Sequence, residues 1–155
     1  MKFRPQSSLP VGLAAMVSIT RKAEFSASHR LARPDWNDAR NAEVFGPESQ
    51  THGHNYVLEV TVTGSVDPRN GMVMDLKELK EIIEREVVEP WDHRHLNHEA
   101  PPFDRVVPTA ENVAREIWQR LAPAVDGGTR RLQTIRLYET PDLYVDYSGP
   151  DEARR

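Results

Sequence analysis

The sequence predicts an α+β domain in which a four-stranded antiparallel sheet carries two helices on one face, in the order ββααββ. Three observations predict it. Two long runs alternate apolar and polar residues, two later stretches carry an apolar stripe at helical spacing, and two short strands close the chain around a Pro-Asp turn. At 155 residues the chain suits one such domain, whose core needs no disulfide or metal staple.

The first sixteen residues, MKFRPQSSLPVGLAAM, hold a weak apolar stretch interrupted by Pro10 and Gly12. They read as a disordered tail rather than a signal peptide, with Met16 as an alternative start. From Val17, residues Val17, Ile19, Ala23, Phe25, Ala27 and His29 share one parity, and Ser18, Thr20, Lys22, Glu24, Ser26 and Ser28 share the other. That is a half-buried strand, with Arg21 the misfit. The run His52–Thr63 repeats the pattern, with His52, His54, Tyr56, Leu58, Val60 and Val62 on its apolar parity. The loop between the strands, about twenty residues, is too long for a plain connection and is expected to be functional.

DPRNG at 67–71 is a turn. Asp75 then caps a helix, Glu78 completes a capping box, and Leu76, Leu79, Ile82, Ile83 and Val87 form its stripe until Pro90 stops it. After a loop rich in His and Pro, Thr109 caps a second helix that buries Val113, Ile117, Trp118 and Leu121 and ends near Pro123. Leu132–Glu139 and Leu143–Tyr147 form the final hairpin. The terminal DEARR frays, so the domain is expected over residues 17–149, with 150–155 as a loose end.

Composition narrows the function. Twenty basic and 24 acidic side chains give a net charge of −4 without a basic block, which argues against nucleic acid as a partner and for a small molecule. No stretch approaches the length of a membrane span. With no cysteine, disulfides, thiolate metal sites and cysteine nucleophiles are all excluded, and a reducing, cytoplasmic setting is expected.

His52 and His54 lie two apart on one strand face, about 7 Å along the chain, a spacing that permits chelation of one ion. His29 ends the first strand on its apolar parity, so antiparallel pairing brings three imidazoles to one end of the buried face. Three histidines leave one position of tetrahedral zinc open, as in catalytic sites. Zinc is the preferred ion, although iron, manganese and nickel also accept imidazole. Two plainer readings stand beside this one: His-X-His is common in loops, and His93, His95 and His98 form a rival cluster in PWDHRHLNH. Asp92 beside His93 makes either a proton relay or a helix-end salt bridge. Glu139 closes an otherwise apolar strand face. It awaits either a ligand with adjacent N–H donors, such as a guanine-like ring, or water and an arginine.

Together FSASHRL (25–31), HGHNY (52–56), GMVMDLKELK (71–80), DHRHLN (92–97), TAENVAREIW (109–118) and LYET (137–140) resemble the 6-pyruvoyl-tetrahydropterin synthase and 6-carboxy-tetrahydropterin synthase family. The resemblance runs in collinear order from about Ile19 to Gly149. It implies a T-fold assembled into homo-oligomers, typically hexamers with active sites between subunits, acting on 7,8-dihydroneopterin triphosphate. By position it implies His29, His52 and His54 as zinc ligands, Asp92 and His93 as proton relay, and Glu139 as pterin anchor. Thr109 and Glu111 fall in the pterin-pocket stretch, where Ala110 replaces a second threonine common in the family. The family's catalytic cysteine is absent, and aligning FG places Glu48 there.

A carboxylate ionises far below a thiol and is a ready base. Glu48 could therefore take a hydroxyl proton from the substrate and favour cleavage to 6-hydroxymethyl-7,8-dihydropterin, as in the branch of the family with a glutamate near this position. The alternatives are a 6-pyruvoyl- or 6-carboxy-tetrahydropterin synthase with Glu48 as base, or a non-catalytic pterin- or zinc-binding module in which Glu48 caps a turn or blocks the metal.

Overall fold

A computed structural model describes residues 16–151. The expected tail and frayed end therefore lie outside the described residues, apart from Met16, Pro150 and Asp151. β1 (Val17–His29) spans the whole alternating segment. The long connection that follows contains α1 (Asp38–Phe45), capped where Asn37 accepts the Arg40 N–H at 2.8 Å, and a 3-10 turn, Gly46–Ser49. β2 (His52–Gly64) runs back along β1.

α2 (Leu76–Ile83) begins at Asp75, whose carboxylate accepts the Lys77 N–H at 2.9 Å. Glu78 reaches Arg130 at 3.2 Å, so this charge pair takes the carboxylate expected to close the capping box. Pro90 does not stop the helix where its ring would suggest. The helical backbone runs on through a π-helical turn, Glu84–Val88, into α3 (Glu89–Trp91), and the Glu86 carbonyl, four residues before the proline that lacks an N–H, accepts from Arg120 Nη1 at 3.3 Å. β3 (Arg94–His95) and α4 (Leu96–Glu99) follow. α5 (Ala110–Val125) starts at Thr109, whose hydroxyl accepts the Asn112 N–H at 3.2 Å, and runs two residues past the expected end because Pro123 falls in its last turn. β4 (Arg131–Thr140) and β5 (Leu143–Tyr147) form the expected hairpin.

The sheet order is β3-β1-β2-β4-β5, and β3 pairs parallel to β1 through Ala27 with Arg94 and Ser28 with His95. The sheet is thus five-stranded and mixed rather than four-stranded and antiparallel. A two-residue strand has no periodicity, so the sequence carries no signal for it. The α+β class holds: α2 and α5 pack on one face. Phe25, Tyr56, Leu58, Val60, Ile135 and Leu137 meet Leu79, Ile83, Val87, Trp91, Ile117 and Leu121 there. Burial of each such side chain contributes about 1.5–3 kcal/mol, which fixes the strand register that the site depends on. No helix among the described residues is long and apolar enough to cross a membrane.

Candidate metal centre

The register places His29 directly opposite His52, and Ala27 opposite His54. The three imidazoles expected at one end of the buried face are there. His29 is fully buried, and its Nδ1–H is aimed at the Pro108 carbonyl at 2.8 Å, with the Tyr56 hydroxyl at 3.3 Å. His52 Nδ1–H likewise donates to the Gln50 carbonyl at 2.7 Å. A carbonyl can only accept, so in both neutral rings the proton sits on Nδ1 and Nε2 carries a lone pair. These two Nε2 atoms face each other at 3.0 Å, two acceptors with no proton between them.

His54 Nε2 is buried and has no hydrogen-bond partner; Glu139 Oε1 stands 3.3 Å away without hydrogen-bond alignment. Glu48 Oε2 lies 2.8 Å from His52 Nε2. One ligand atom from each of His29, Glu48, His52 and His54 lies within 4.8 Å of the other three. Converging lone pairs, an orphaned imidazole nitrogen and a carboxylate fit a divalent cation. Burial holds His29 down at a pKa of about 4, with its neighbours His52 and His54 adding to the effect, so the ring is neutral at neutral pH, as a ligand must be. Burial also lowers the pKa of His54.

The remaining candidates separate into two groups. Glu139 is half-buried beside His54, and desolvation raises its pKa, with the charges of Glu48 and Glu111 adding to the rise and His52 opposing it. Glu111 occupies the exposed first turn of α5, directly after Thr109 and Ala110. Asp92 and His93 are joined to each other, Asp92 Oδ2 accepting from His93 Nδ1 at 2.8 Å. Asp92 Oδ1 takes the Ser26 N–H at 2.8 Å, and this bond, with that of His93, lowers the carboxyl's pKa. Among the described residues no hydrogen bond or ion pair links this pair to the cluster, and the His93 side chain is 83% exposed.

The rival cluster does not converge. His93 is held by Asp92, while His95 and His98 stack at 4.2 Å. Sequence reasoning missed the groups that orient the ligands. Backbone carbonyls of Pro108 and Gln50 leave no side-chain signal, and Tyr56 reads only as a core aromatic.

Fold and site together define an α+β protein of the T-fold class with a His/Glu cluster that could hold a metal ion. A family model for 6-pyruvoyl tetrahydropterin synthase matches residues 18–150, and the chain belongs to that family. It is 41% identical over 140 residues to 6-pyruvoyl tetrahydrobiopterin synthase of Pongo abelii, covering 89% of this chain and 95% of the relative. The 6-pyruvoyl tetrahydropterin synthase structure of Caenorhabditis elegans superposes with a TM-score of 0.81 at 37% identity, over 88% of this chain and 98% of that one. A Plasmodium vivax 6-pyruvoyltetrahydropterin synthase variant, in which a catalytic glutamate is replaced by alanine, shares the fold. Its TM-score is 0.58 at 16% identity, over 86% of this chain and 97% of that one.

Proposed function

We propose that the chain is a zinc-dependent pterin lyase that cleaves the side chain of 7,8-dihydroneopterin triphosphate to 6-hydroxymethyl-7,8-dihydropterin, with Glu48 in place of the family's thiol. One domain, residues 17–149, carries the activity in the cytoplasm, as a homo-oligomer, a hexamer by family resemblance. The observation that carries this reading is Glu48 at 2.8 Å from His52, on the rim of the three-histidine cluster. When bound to His29, His52 and His54, zinc supplies Lewis-acid polarisation of the substrate's side-chain oxygens.

The chain's own residues do the rest. Glu139, half-buried, accepts the adjacent N–H donors of the pterin ring, and Thr109 and Glu111 border that pocket. Glu48 removes the C2′ hydroxyl proton. The C1′–C2′ bond breaks, C2′ leaves as an aldehyde carrying the triphosphate, and its bonding pair passes to C1′ and the ring. Asp92 orients His93, which returns a proton to C1′. The pair makes no hydrogen bond or ion pair with the cluster of its own chain, and in the proposed homo-oligomer we assign it to the cluster of a neighbouring copy. A glutamate is named as a catalytic residue in the P. vivax protein, and that naming supports the role given to Glu48.

The relatives' names favour a second reading, 6-pyruvoyl-tetrahydropterin formation with Glu48 as base. Incubating the zinc-loaded protein with dihydroneopterin triphosphate and weighing the product separates the two. Release of 6-hydroxymethyl-7,8-dihydropterin is expected, a pyruvoyl product selects the second reading, and binding without turnover sinks both. Glu48→Gln keeps the size of the side chain and removes the base, so turnover should fall about 10²-fold or more.

A further inference from the structure

We infer that Arg30 and Asn97 form a clasp that positions Glu48 against the histidine cluster. The inference rests on the reading of Glu48 as the reacting base. Glu48 sits on a four-residue 3-10 turn with its side chain 52% exposed, so the turn and the surrounding packing do little to hold it. Three hydrogen bonds do. Leu31 N–H donates to the Glu48 carbonyl at 2.8 Å, Arg30 Nε–H donates to the Ser49 carbonyl at 2.9 Å, and Ser49 Oγ closes the turn onto the Gly46 carbonyl at 2.7 Å. The two carbonyls at Glu48 and Ser49 are thus tied to the two residues that directly follow His29.

Arg30 is fixed from its other side. The Asn97 side chain accepts the Arg30 N–H at 2.9 Å and donates to the Arg30 carbonyl at 3.0 Å. This paired amide contact bridges α4 to the end of β1. Arg30 Nη2 also lies 3.4 Å from Asp38, the first residue of α1. One arginine therefore joins the strand end that carries His29, the turn that carries Glu48 and the segment after the Asp92–His93 pair. Of the bonds that seat the turn on the strand end, only the Arg30 Nε–H bond comes from a side chain. Lysine would keep the charge and lose that donor, since its ammonium is a single point at the end of the stem.

A reacting group displaced by about 1 Å can lose up to about 10²-fold in rate. Arg30 and Asn97 are accordingly positioning residues, acting through Glu48. The test is a double-mutant cycle of Arg30→Lys and Glu48→Gln, read first on the visible spectrum of the cobalt(II)-loaded protein without substrate and then on turnover. Arg30→Lys should keep full metal content and an unchanged unfolding midpoint, shift the cobalt spectrum, and lower kcat about tenfold with KM within about twofold. In the Glu48→Gln background the same change should leave the spectrum unmoved and the residual rate within about twofold.

Equal spectral shifts in both backgrounds, or no shift in either, overturn the clasp. If Glu48→Gln retains full turnover, the role of Glu48 as base fails, and the cobalt cycle still decides the clasp. Should Arg30→Lys fail to fold, Asn97→Asp reads the same cycle, because it keeps the acceptor for Arg30 N–H and loses the donor to its carbonyl.

Discussion

His29 joins the core to the chemistry in one side chain. It lies at the buried end of β1, its Nδ1 proton is committed to Pro108, and its Nε2 lone pair faces the cluster. In the unfolded chain it takes up a proton near pH 6.5, whereas in the folded, metal-free protein burial delays this to about pH 4. Between those values the unfolded state binds the extra proton. Stability is therefore full above about pH 6.5 and falls as pH drops through the window toward 4, by on the order of 3 kcal/mol. Urea midpoints of the chelator-treated protein should decline over that range, and the slope should shrink in His29→Asn. A midpoint flat from pH 7 to 4.5 would show that His29 does not stay neutral in the fold. Zinc content is the companion measurement. His29→Ala and His54→Ala should both lose the metal, while His98→Ala retains it.

Elements were legible in proportion to their periodicity. β1 and β2 carry period-two alternation over a dozen residues, and their ends and register appear as expected, which is why the three-histidine cluster could be read from parity. β3 has two residues, and α1 lies in a stretch whose apolar positions form no stripe, so neither announced itself. The clasp was hidden too, because Asn97 and Arg30 act on backbone atoms brought together only by the fold.

Beyond β5 the chain makes one tight contact that sequence could not reveal. Gly149 has φ +91, and a Cβ there would stand 2.6 Å from Trp118 Cζ2, on α5. Gly71, in the turn before α2, has φ +74 with nothing within 4 Å. Both substitutions by alanine incur the left-handed penalty, about 1 kcal/mol, but only Gly149→Ala also overpacks, adding about 1–3 kcal/mol. Chemical denaturation should rank Gly149→Ala well below Gly71→Ala. Equal losses would mean that Trp118 moves aside freely.

At the scale of the whole molecule the sheet is unfinished. Beyond its two-residue contact with β3, the outer edge of β1 has no strand neighbour among the described residues, and neither has that of β5. Edges of this kind pair with another chain unless they are blocked. The sheet face away from the helices is lined by Thr20, Lys22, Ser26, Asn55, Glu59 and Thr61, polar side chains that can face water inside a closed assembly as readily as outside it. Such an assembly would give the Asp92–His93 pair of the proposed mechanism a cluster to serve, since among the described residues it makes no hydrogen bond or ion pair with the cluster of its own chain.

The consequence is measurable by subunit complementation. Glu48→Gln damages a copy's own cluster, and His93→Ala damages what that copy lends to its neighbour. Each variant alone should be nearly inactive. In mixed assemblies formed from equal amounts, a site is intact when its cluster comes from a His93→Ala chain and its relay from a Glu48→Gln chain, a half times a half of the time. Activity should therefore return to about a quarter of the unmutated level. If both groups acted within one chain, every site would still carry a defect and mixing would restore nothing.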